Sequence, residues 1–445
     1  VEHEEPLTEA PIPEHRGMAE RMAQYVAKLV EDGATIQVGI GRILSAVLSL
    51  LTDKRDLGVH SEMITDAYLP LVEKGIITGR KKNLHQDKII ASFCLGSRKL
   101  FDFVHNNPQV EFHPSDYVNH PEVISKNHRM TAINSALQVD LSGQVCADSL
   151  GHKVYSGIGG YVDFSVGAAR SQGGKSIIVL PSTSSDGRRS RIVSHLNRGA
   201  GVVGTRAAAQ YVVTEFGIAS LHGQTVRERA LSLINIAHPR FRQQLLAEAK
   251  RIRYLYEDQI LSPPSGQYYP EAWETHHNFG PDLKILFRPI KPTDERALQE
   301  FFYSLPDEDI YYRFLSSMKV FPHRDTQAMA NIDYENEMTI VGVVGDIGSE
   351  KITAVGRYIL DNESNFAEVD FAVRSEMQHK GVGTFLVRYL TEIARSKGVT
   401  GFMAYVLAAN RKMLKIFRKT GYVIHRSLED GVYEIQFRFD EPVRD

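Results

Sequence analysis

Near its C-terminal end the sequence reads Gln378-His379-Lys380-Gly381-Val382-Gly383-Thr384. Apolar residues alternate before this run, from Ala367 to Val373, and an amphipathic stretch follows it, from Phe385 to Ser396. The pattern predicts a strand, a glycine turn and a helix. Such a turn presents successive backbone N–H groups at the positive end of the helix macrodipole, which suits a pyrophosphate. Coenzyme A carries a pyrophosphate, so the run favours an enzyme that uses acyl-CoA.

The length and charge of the chain restrict the class of protein. At 445 residues, two or three domains are expected. The formal net charge is -2 and the basic residues are not gathered into one stripe, so nucleic acid is not an expected partner. The apolar runs stay shorter than the roughly 18 residues that a membrane span needs. We therefore expect no contact with a membrane.

The first residues and the cysteines indicate the compartment. Val1 to Pro6 are acidic and polar, unlike a signal peptide, and they lack a starting Met. The chain is thus expected to begin inside a longer gene product. Cys94 and Cys146 fit no metal spacing, and their apolar neighbours predict buried, structural thiols. We expect a cytoplasmic protein without a metal site.

A change of composition divides the chain. The turn-rich run from Leu261 to Pro270 predicts a linker over residues 261–282, between a first domain at 1–260 and a second at 283–445. In the first domain, short β-branched runs such as Lys175 to Leu180 and Tyr211 to Thr214 alternate with helical patterns, which predicts an α/β fold with covered sheet faces. The second domain is predicted to be α+β with a mixed sheet.

The second domain resembles the GNAT N-acetyltransferase family over about residues 283 to 440. The Gln-x-x-Gly-x-Gly motif matches at 378, 381 and 383, within the family's order of strands and helices, and the asparagine and tyrosine of later family motifs also match. The likeness is nearest to bacterial protein-lysine acetyltransferases fused to CoA-handling domains. It implies acetyl-CoA as a substrate and favours a protein lysine as the acceptor, with a small amine as the alternative. It also implies CoA contacts from Val373, Gln378, His379, Lys380, Gly381, Val382, Gly383, Thr384 and Asn410.

The chemistry of amine acetylation points to particular side chains. An amine must lose a proton before it attacks a thioester, and a carboxylate in a partly desolvated cleft can accept that proton. Glu368 and Asp370 project to one face of a predicted strand. Glu368, where the family places a glutamate, is the predicted base; alternatively both carboxylates simply face solvent. Tyr422 either protonates the leaving thiolate or is a half-buried aromatic core residue. Asn410 hydrogen-bonds the pantetheine, caps the helix that follows it, or does both.

The first domain contains two further glycine turns, Val38 to Gly41 and Gly157 to Gly160, where backbone N–H groups can approach a ligand closely. Longer strings are more specific. They include the strings DGATIQVGIGRILSAVLSLLTDKRDLGVHSEMITD at 32–66, YSGIGGYVDFSVGAA at 155–169 and VVTEFGIASLHGQTVRERA at 212–230. In this order they resemble the C-terminal half of the acetyl-CoA hydrolase/transferase family over about residues 15 to 250.

That resemblance implies covalent catalysis. In a His-Ser-Glu-Met context the family has a nucleophilic glutamate, which is Glu62 here. The carboxylate attacks the acyl-CoA thioester, a glutamyl-CoA thioester follows, and an incoming carboxylic acid reverses the sequence. The backbone N–H groups of Gly157, Gly159 and Gly160 are expected to stabilise the oxyanion. Without the resemblance, an ion-paired surface glutamate is the simpler interpretation.

The sequence also departs from this family. Tyr161 stands where a glutamine is common, Arg42 replaces a glycine, and the family's N-terminal half has no counterpart. Either the sequence is a fragment or another chain supplies the missing wall, and we expect a homo-oligomer or pairing with such a half. The predicted function is a bifunctional one: CoA transfer between an acyl-CoA and a carboxylic acid, plus acetyl transfer to an amine. The alternatives are an acetyl-CoA hydrolase or a non-catalytic CoA-sensing domain.

Overall fold

The computed structural model describes residues 5, 7–10, 17–261 and 269–443. The chain divides into two compact units between Tyr256 and Glu257. Of the linker predicted over 261–282, residues 262–268 lie outside the described residues. Its later part is folded, because Thr275–Asn278 forms a strand that pairs with Lys284–Pro289 in the sheet of the C-terminal unit.

The N-terminal unit is an α/β fold, as predicted. Its strands are β1 Thr35–Val38, β2 Gly58–His60, β3 Met63–Ile64, β4 Ile89–Ala91, β5 Phe93–Cys94, β6 Val110–Phe112, β7 Met130–Ser135, β8 Gln138–Asp140, β9 Val145–Cys146, β10 Ser149–Leu150, β11 Lys153–Val154, β12 Lys175–Val179, β13 Ile192–Val193, β14 Tyr211–Thr214 and β15 Gly217–Ser220. Its helices are α1 Met18–Leu29, α2 Arg42–Leu50, α3 Leu69–Glu73, α4 Arg98–Val104, α5 Ser115–Val118, α6 Pro121–Ser125, α7 Tyr161–Arg170, α8 Val226–Ile236 and α9 Pro239–Arg251.

One large sheet organises the described part of this unit. Its eight strands run in the order β15-β14-β12-β7-β1-β2-β4-β6. Neighbouring strands are parallel, apart from the antiparallel β14–β15 pair. All four residues of β1 are buried, as expected for a parallel strand covered on both faces. The carboxyl ends of parallel strands meet at one edge, where ligands commonly bind, and Glu62 follows β2 at that edge.

The C-terminal unit has a mixed sheet. Its strands are β16 Thr275–Asn278, β17 Lys284–Pro289, β18 Glu337–Val344, β19 Lys351–Asp361, β20 Phe366–Val373, β21 Gly401–Leu407, β22 His425–Glu429 and β23 Val432–Arg438. Its helices are α10 Glu295–Tyr303, α11 Asp307–Phe314, α12 His323–Ala330, α13 Val382–Ser396 and α14 Arg411–Phe417. The strand order is β16-β17-β18-β19-β20-β21-β23-β22. The core includes fully buried aromatic side chains on several of these elements: Phe287, Phe301, Tyr358, Phe402 and Phe437.

Strands β20 and β21 form the parallel pair of this sheet, and they separate along their length. They pair through Phe366–Gly401, Ala367–Phe402 and Glu368–Met403, yet β20 continues to Val373 and β21 to Leu407. A cleft therefore opens beyond Glu368. The predicted strand, turn and helix are present at its end, with β20 ending at Val373 and α13 beginning at Val382.

In the part of the chain that the structure describes, no helix combines the length and apolar character needed to cross a membrane.

Candidate active sites

The glycine turn of the C-terminal unit is left-handed at two positions. His379 has φ 62° and Gly381 has φ 91°. Gly381 is the N-cap residue of α13, and among the described residues no side chain caps this helix end. The first N–H groups of a 15-residue helix therefore lack a side-chain acceptor, next to the exposed side chains of His379 and Lys380. This end of the helix suits an anionic group such as a pyrophosphate, because it combines uncapped N–H groups, the positive end of the helix dipole and the cation of Lys380.

The Gln378 side chain holds this turn in place. Its Nε2 donates to the Val373 carbonyl at 3.1 Å and to Asp309 Oδ2 at 2.9 Å. Its Oε1 accepts from Lys412 Nζ at 3.1 Å. These bonds join the end of β20 to α11 and α14. In this structure the Gln378 side chain therefore fixes the position of the turn, and its role in cofactor binding stays a prediction.

The next glycine allows two helices to approach. A Cβ at Gly383 would lie 3.0 Å from Ile416 Cδ1 of α14 and 3.7 Å from Phe371 Cε2 of β20. Val382 is buried beside it and Thr384 is half-buried. The start of α13 is therefore fixed between β20 and α14, which keeps its N–H groups at the end of the cleft.

Glu368 is the last residue of β20 that pairs with β21, and the cleft opens directly after it. Its side chain is exposed, and it makes no hydrogen bond or ion pair among the described residues. Asp370, two residues further on, is engaged: it pairs with Arg313, whose side chain is 6% exposed, and accepts from Arg357 Nε at 3.2 Å. Asp370 is thus occupied by two guanidinium groups, whereas the Glu368 carboxylate is open to an incoming amine, so Glu368 is the better candidate for the base.

Tyr422 lies elsewhere. Its ring stacks on Phe437, with centroids 5.6 Å apart, and its hydroxyl accepts from Arg395 Nη1 at 3.4 Å. Arg395 is in the last turn of the 15-residue α13, roughly 20 Å of helix from the glycine turn. Glu368 shares the face of Asp370, which contacts α11, whereas Tyr422 lies against α13. Stacking on Phe437 is what the aromatic-core interpretation of Tyr422 predicts. Tyr422 also lines one cavity together with Thr384, and its role as an acid stays a prediction.

Asn410 caps a helix. Its Oδ1 accepts from the Met413 N–H at 3.0 Å at the start of α14, and the residue is buried. This bond satisfies one of the open N–H groups of the helix. Of the two roles considered from the sequence, capping is the one that the structure displays.

In the N-terminal unit, Glu62 and the glycine turn at 157–160 lie together. Glu62 Oε2 accepts from the Gly160 N–H at 3.1 Å. Gly160 is buried and precedes α7, so the carboxylate sits at the positive end of a 10-residue helix. Gly157 and Gly159 are exposed, and Gly159 has φ 54°. The N–H group expected to bind the substrate oxyanion is thus engaged with the predicted nucleophile itself.

Two polar residues that the sequence did not point to complete this site. A Cβ at Gly160 would lie 2.9 Å from Asn119 Nδ2, which places this amide beside Glu62. Asp163, in the first turn of α7, has its pKa raised by burial and by the negative charge of Glu62. No spacing rule links Asn119 and Asp163 to Glu62, because the three come from separate segments. The backbone of Glu62 is fixed by Ser92 and Phe93, whose N–H groups donate to its carbonyl.

The two departures from the family pattern have different surroundings. Tyr161 is buried at the start of α7, and a Cβ at Gly204 would lie 2.6 Å from its hydroxyl. Burial raises the pKa of this phenol. Its side chain therefore packs inside the unit. Arg42, in contrast, is exposed at the start of α2.

Comparison with known families agrees with the two folds. Residues 96–249 match the model for the acetyl-CoA hydrolase/transferase C-terminal domain, and residues 298–422 match the acetyltransferase (GNAT) family. The chain carries an acetyl-CoA hydrolase/transferase C-terminal domain followed by a GNAT acetyltransferase domain. Both resemblances inferred from the sequence are thereby confirmed.

Individual relatives cover one unit each. The chain is 51% identical over 251 residues to the 4-hydroxybutyrate coenzyme A transferase of Clostridium kluyveri, which covers 56% of this chain and 58% of that protein. It superposes on the crystal structure of RipA from Yersinia pestis with a TM-score of 0.54 and 35% identity, covering 56% of each chain. It is 26% identical over 151 residues to an acetyltransferase of Pseudomonas aeruginosa, covering 34% of this chain and 81% of that protein. The chain thus spans little more than half the length of its CoA-transferase relatives.

Proposed function

We propose that this protein has two acyl-CoA activities: CoA transfer between an acyl-CoA and a carboxylic acid in the N-terminal unit, and acetyl transfer from acetyl-CoA to an amine in the C-terminal unit. The contact between Glu62 Oε2 and the Gly160 N–H, at 3.1 Å, carries the first proposal. It presents the carboxylate at a helix start, beside an exposed glycine turn. The likeness to the 4-hydroxybutyrate coenzyme A transferase supports the same chemistry.

The proposed transfer proceeds through Glu62. A carboxylate oxygen attacks the thioester carbonyl, the C–S bond breaks, and CoA leaves as its thiolate with a mixed anhydride on the enzyme. The thiolate then attacks the glutamyl carbonyl, which releases the acyl group as a carboxylate and leaves CoA on Glu62. The incoming acid repeats these steps in reverse. The Gly160 N–H, freed from the carboxylate when Glu62 reacts, would then stabilise the developing oxyanion.

Chemical trapping tests this proposal. The full chain is incubated with an acyl-CoA, reduced with borohydride and digested for mass spectrometry. A glutamyl-CoA thioester would be reduced to an alcohol at Glu62, which marks that residue alone. Glu122→Gln, which alters an exposed glutamate outside the site, should keep the modification, and Glu62→Gln should lose it. An unmodified Glu62 in a chain that still transfers CoA would exclude the covalent route.

The second proposal rests on the cleft between β20 and β21. The uncapped start of α13 would hold the CoA pyrophosphate, with Val373 and the turn residues Gln378 to Thr384 around it. The thioester would then lie along β20 near Glu368. We propose Glu368 as the base that removes the amine proton, and a protein lysine as the acceptor. The amine nitrogen attacks the acetyl carbonyl, the C–S bond breaks, and CoA leaves as a thiolate that takes up a proton from solvent.

Mass spectrometry of candidate proteins incubated with the chain and acetyl-CoA tests this activity. Glu368→Gln should lower the rate of acetylation by about 10² to 10⁴-fold, the usual contribution of a general base. Acetyl-CoA binding should be unchanged. Glu363→Gln, in the exposed turn before β20, is the matched control. Equal rates in both variants would remove Glu368 from the mechanism, and a lack of any acetylated amine would count against the acetyltransferase itself.

A further inference from the structure

We propose that His85, Glu111 and His113 form a binding site for a divalent transition metal, with zinc as the first candidate. The site lies outside both acyl-CoA sites and is independent of the proposed function. His85 precedes β4, Glu111 is in the edge strand β6, and His113 follows that strand. One ligand atom from each residue lies within 4.8 Å of the others.

The distances fit a metal geometry. Glu111 Oε2 lies 3.3 Å from His113 Nε2 and 3.7 Å from His85 Nδ1. Two ligands at about 2.1 Å from a tetrahedral ion are roughly 3.4 Å apart. A small closing movement would therefore place one ion in contact with all three atoms. Two imidazoles and a carboxylate are a common zinc ligand set, with the fourth position left to water.

The three side chains are open to solvent on one side. The three side chains are 24%, 36% and 32% exposed for His85, Glu111 and His113, so an ion can enter from solvent.

A second partner orients one imidazole. His85 Nε2 lies 2.7 Å from the Tyr117 hydroxyl, which leaves Nδ1 on the side of Glu111. The rings of His113 and Tyr117 are also adjacent, with centroids 5.1 Å apart. Partners of this kind fix the ring and its tautomer in metal sites. Tyr117 is part of α5, and Asn119, beside Glu62, follows this helix. A bound ion would therefore hold the segment that leads to the Glu62 site.

Lys88 competes with the ion. Its Nζ lies 3.1 Å from Glu111 Oε1, the oxygen that does not face the histidines. An ion on Oε2 would share the carboxylate with this ammonium group and would be repelled by it. Removing the ammonium group while keeping the length of the side chain should therefore tighten metal binding. The affinity of a site that includes Glu111 should respond to this change, whereas weak binding to surface histidines alone should not.

The test uses the full chain after treatment with a chelator. Calorimetric titration with Zn²⁺ should show one equivalent bound, and Co²⁺ should give the visible absorption of a tetrahedral complex. The double variant His85→Ala/His113→Ala should weaken Zn²⁺ binding by more than about tenfold, since even the loss of a residue that only hydrogen-bonds a metal ligand costs about that much. His105→Ala/His128→Ala, at exposed histidines outside the cluster, should bind as the unchanged chain does.

Lys88→Met completes the test, because a gain in affinity cannot result from misfolding. It should tighten Zn²⁺ binding severalfold. The proposal is overturned if the unchanged chain binds no Zn²⁺, if the His85/His113 variant binds as tightly as the control, or if Lys88→Met leaves the affinity the same or lower.

Discussion

The carboxylate of Glu62 accepts a hydrogen bond from the backbone of Gly160, although 98 residues separate the two. The contact depends on the missing side chain of Gly160, since a Cβ there would lie 2.6 Å from Glu62 Oε2 and 2.9 Å from Asn119 Nδ2. The position of the predicted nucleophile therefore depends on the glycine turn, because any side chain at residue 160 would displace the Glu62 carboxylate.

Gly160→Ala should therefore impair CoA transfer. The methyl group would push the carboxylate away from the start of α7, and a displacement of about 1 Å at a reacting group can cost about 10²-fold in rate. The measurement is the exchange of CoA between an acyl-CoA and a carboxylic acid. Gly157→Ala is the matched control from the same turn, because a Cβ at Gly157 meets nothing within 4 Å. An equal loss in both variants would show that the turn acts through flexibility instead.

Gly381→Ala should weaken acetyl-CoA binding by the C-terminal unit. Gly381 has φ 91° at the start of α13, and Gly398 has φ 78° just beyond its end. Alanine at either left-handed position should cost about 1 kcal/mol of stability, so both variants should unfold at similarly lowered temperatures. Only Gly381→Ala reorients the N–H groups at the cleft, and only it should raise the dissociation constant of acetyl-CoA in a titration. Comparable binding by both variants would remove the turn from the cofactor site.

The sequence predicted the elements whose pattern is local. The alternation from Ala367 to Val373, the glycines and the helical period of α13 are all contained in about thirty residues, and β12 and β14 were predicted from short β-branched runs at nearly the observed bounds. The strand Thr275–Asn278 was assigned to the linker instead. Its sequence Thr-His-His-Asn is polar and mostly exposed, so the strand depends on pairing with β17 and not on an apolar period.

The arrangement of site residues was less predictable, because it depends on pairing between distant segments. Nothing in the spacing of Glu368 and Asp370 distinguishes them; Arg313, on another element, neutralises one and leaves the other open. Tyr422 matched a family pattern, yet its position is decided by stacking on Phe437. The proximity of His85 to Glu111 likewise arises from the packing of a loop against an edge strand.

Asp370→Asn should destabilise the C-terminal unit, whereas Glu368→Gln should not. Asp370 neutralises the buried guanidinium of Arg313, and its own side chain is 27% exposed. Breaking a fully buried pair costs about 3 to 5 kcal/mol, and the partial exposure of Asp370 reduces our expectation to about 2 kcal/mol. Glu368 makes no side-chain hydrogen bond or ion pair among the described residues, so Glu368→Gln should change the free energy of unfolding by no more than about 0.5 kcal/mol. Urea unfolding of the two variants measures this; similar stabilities would mean that Asp370 does not anchor Arg313.

Acidification should destabilise the N-terminal unit through His60. Burial lowers the pKa of this imidazole from 6.5 to about 4, and it lies in β2, two residues before Glu62. The unfolded chain therefore binds a proton at higher pH than the folded one, so stability is complete above pH 6.5 and falls as the pH approaches 4. At about 1.4 kcal/mol per pH unit, the loss reaches about 3 kcal/mol.

Urea unfolding at pH 7 and pH 4.5 measures this effect. The free energy of unfolding should decrease less between the two pH values for His60→Gln than for His105→Gln, at an exposed histidine. Equal decreases would assign the acid sensitivity to other groups.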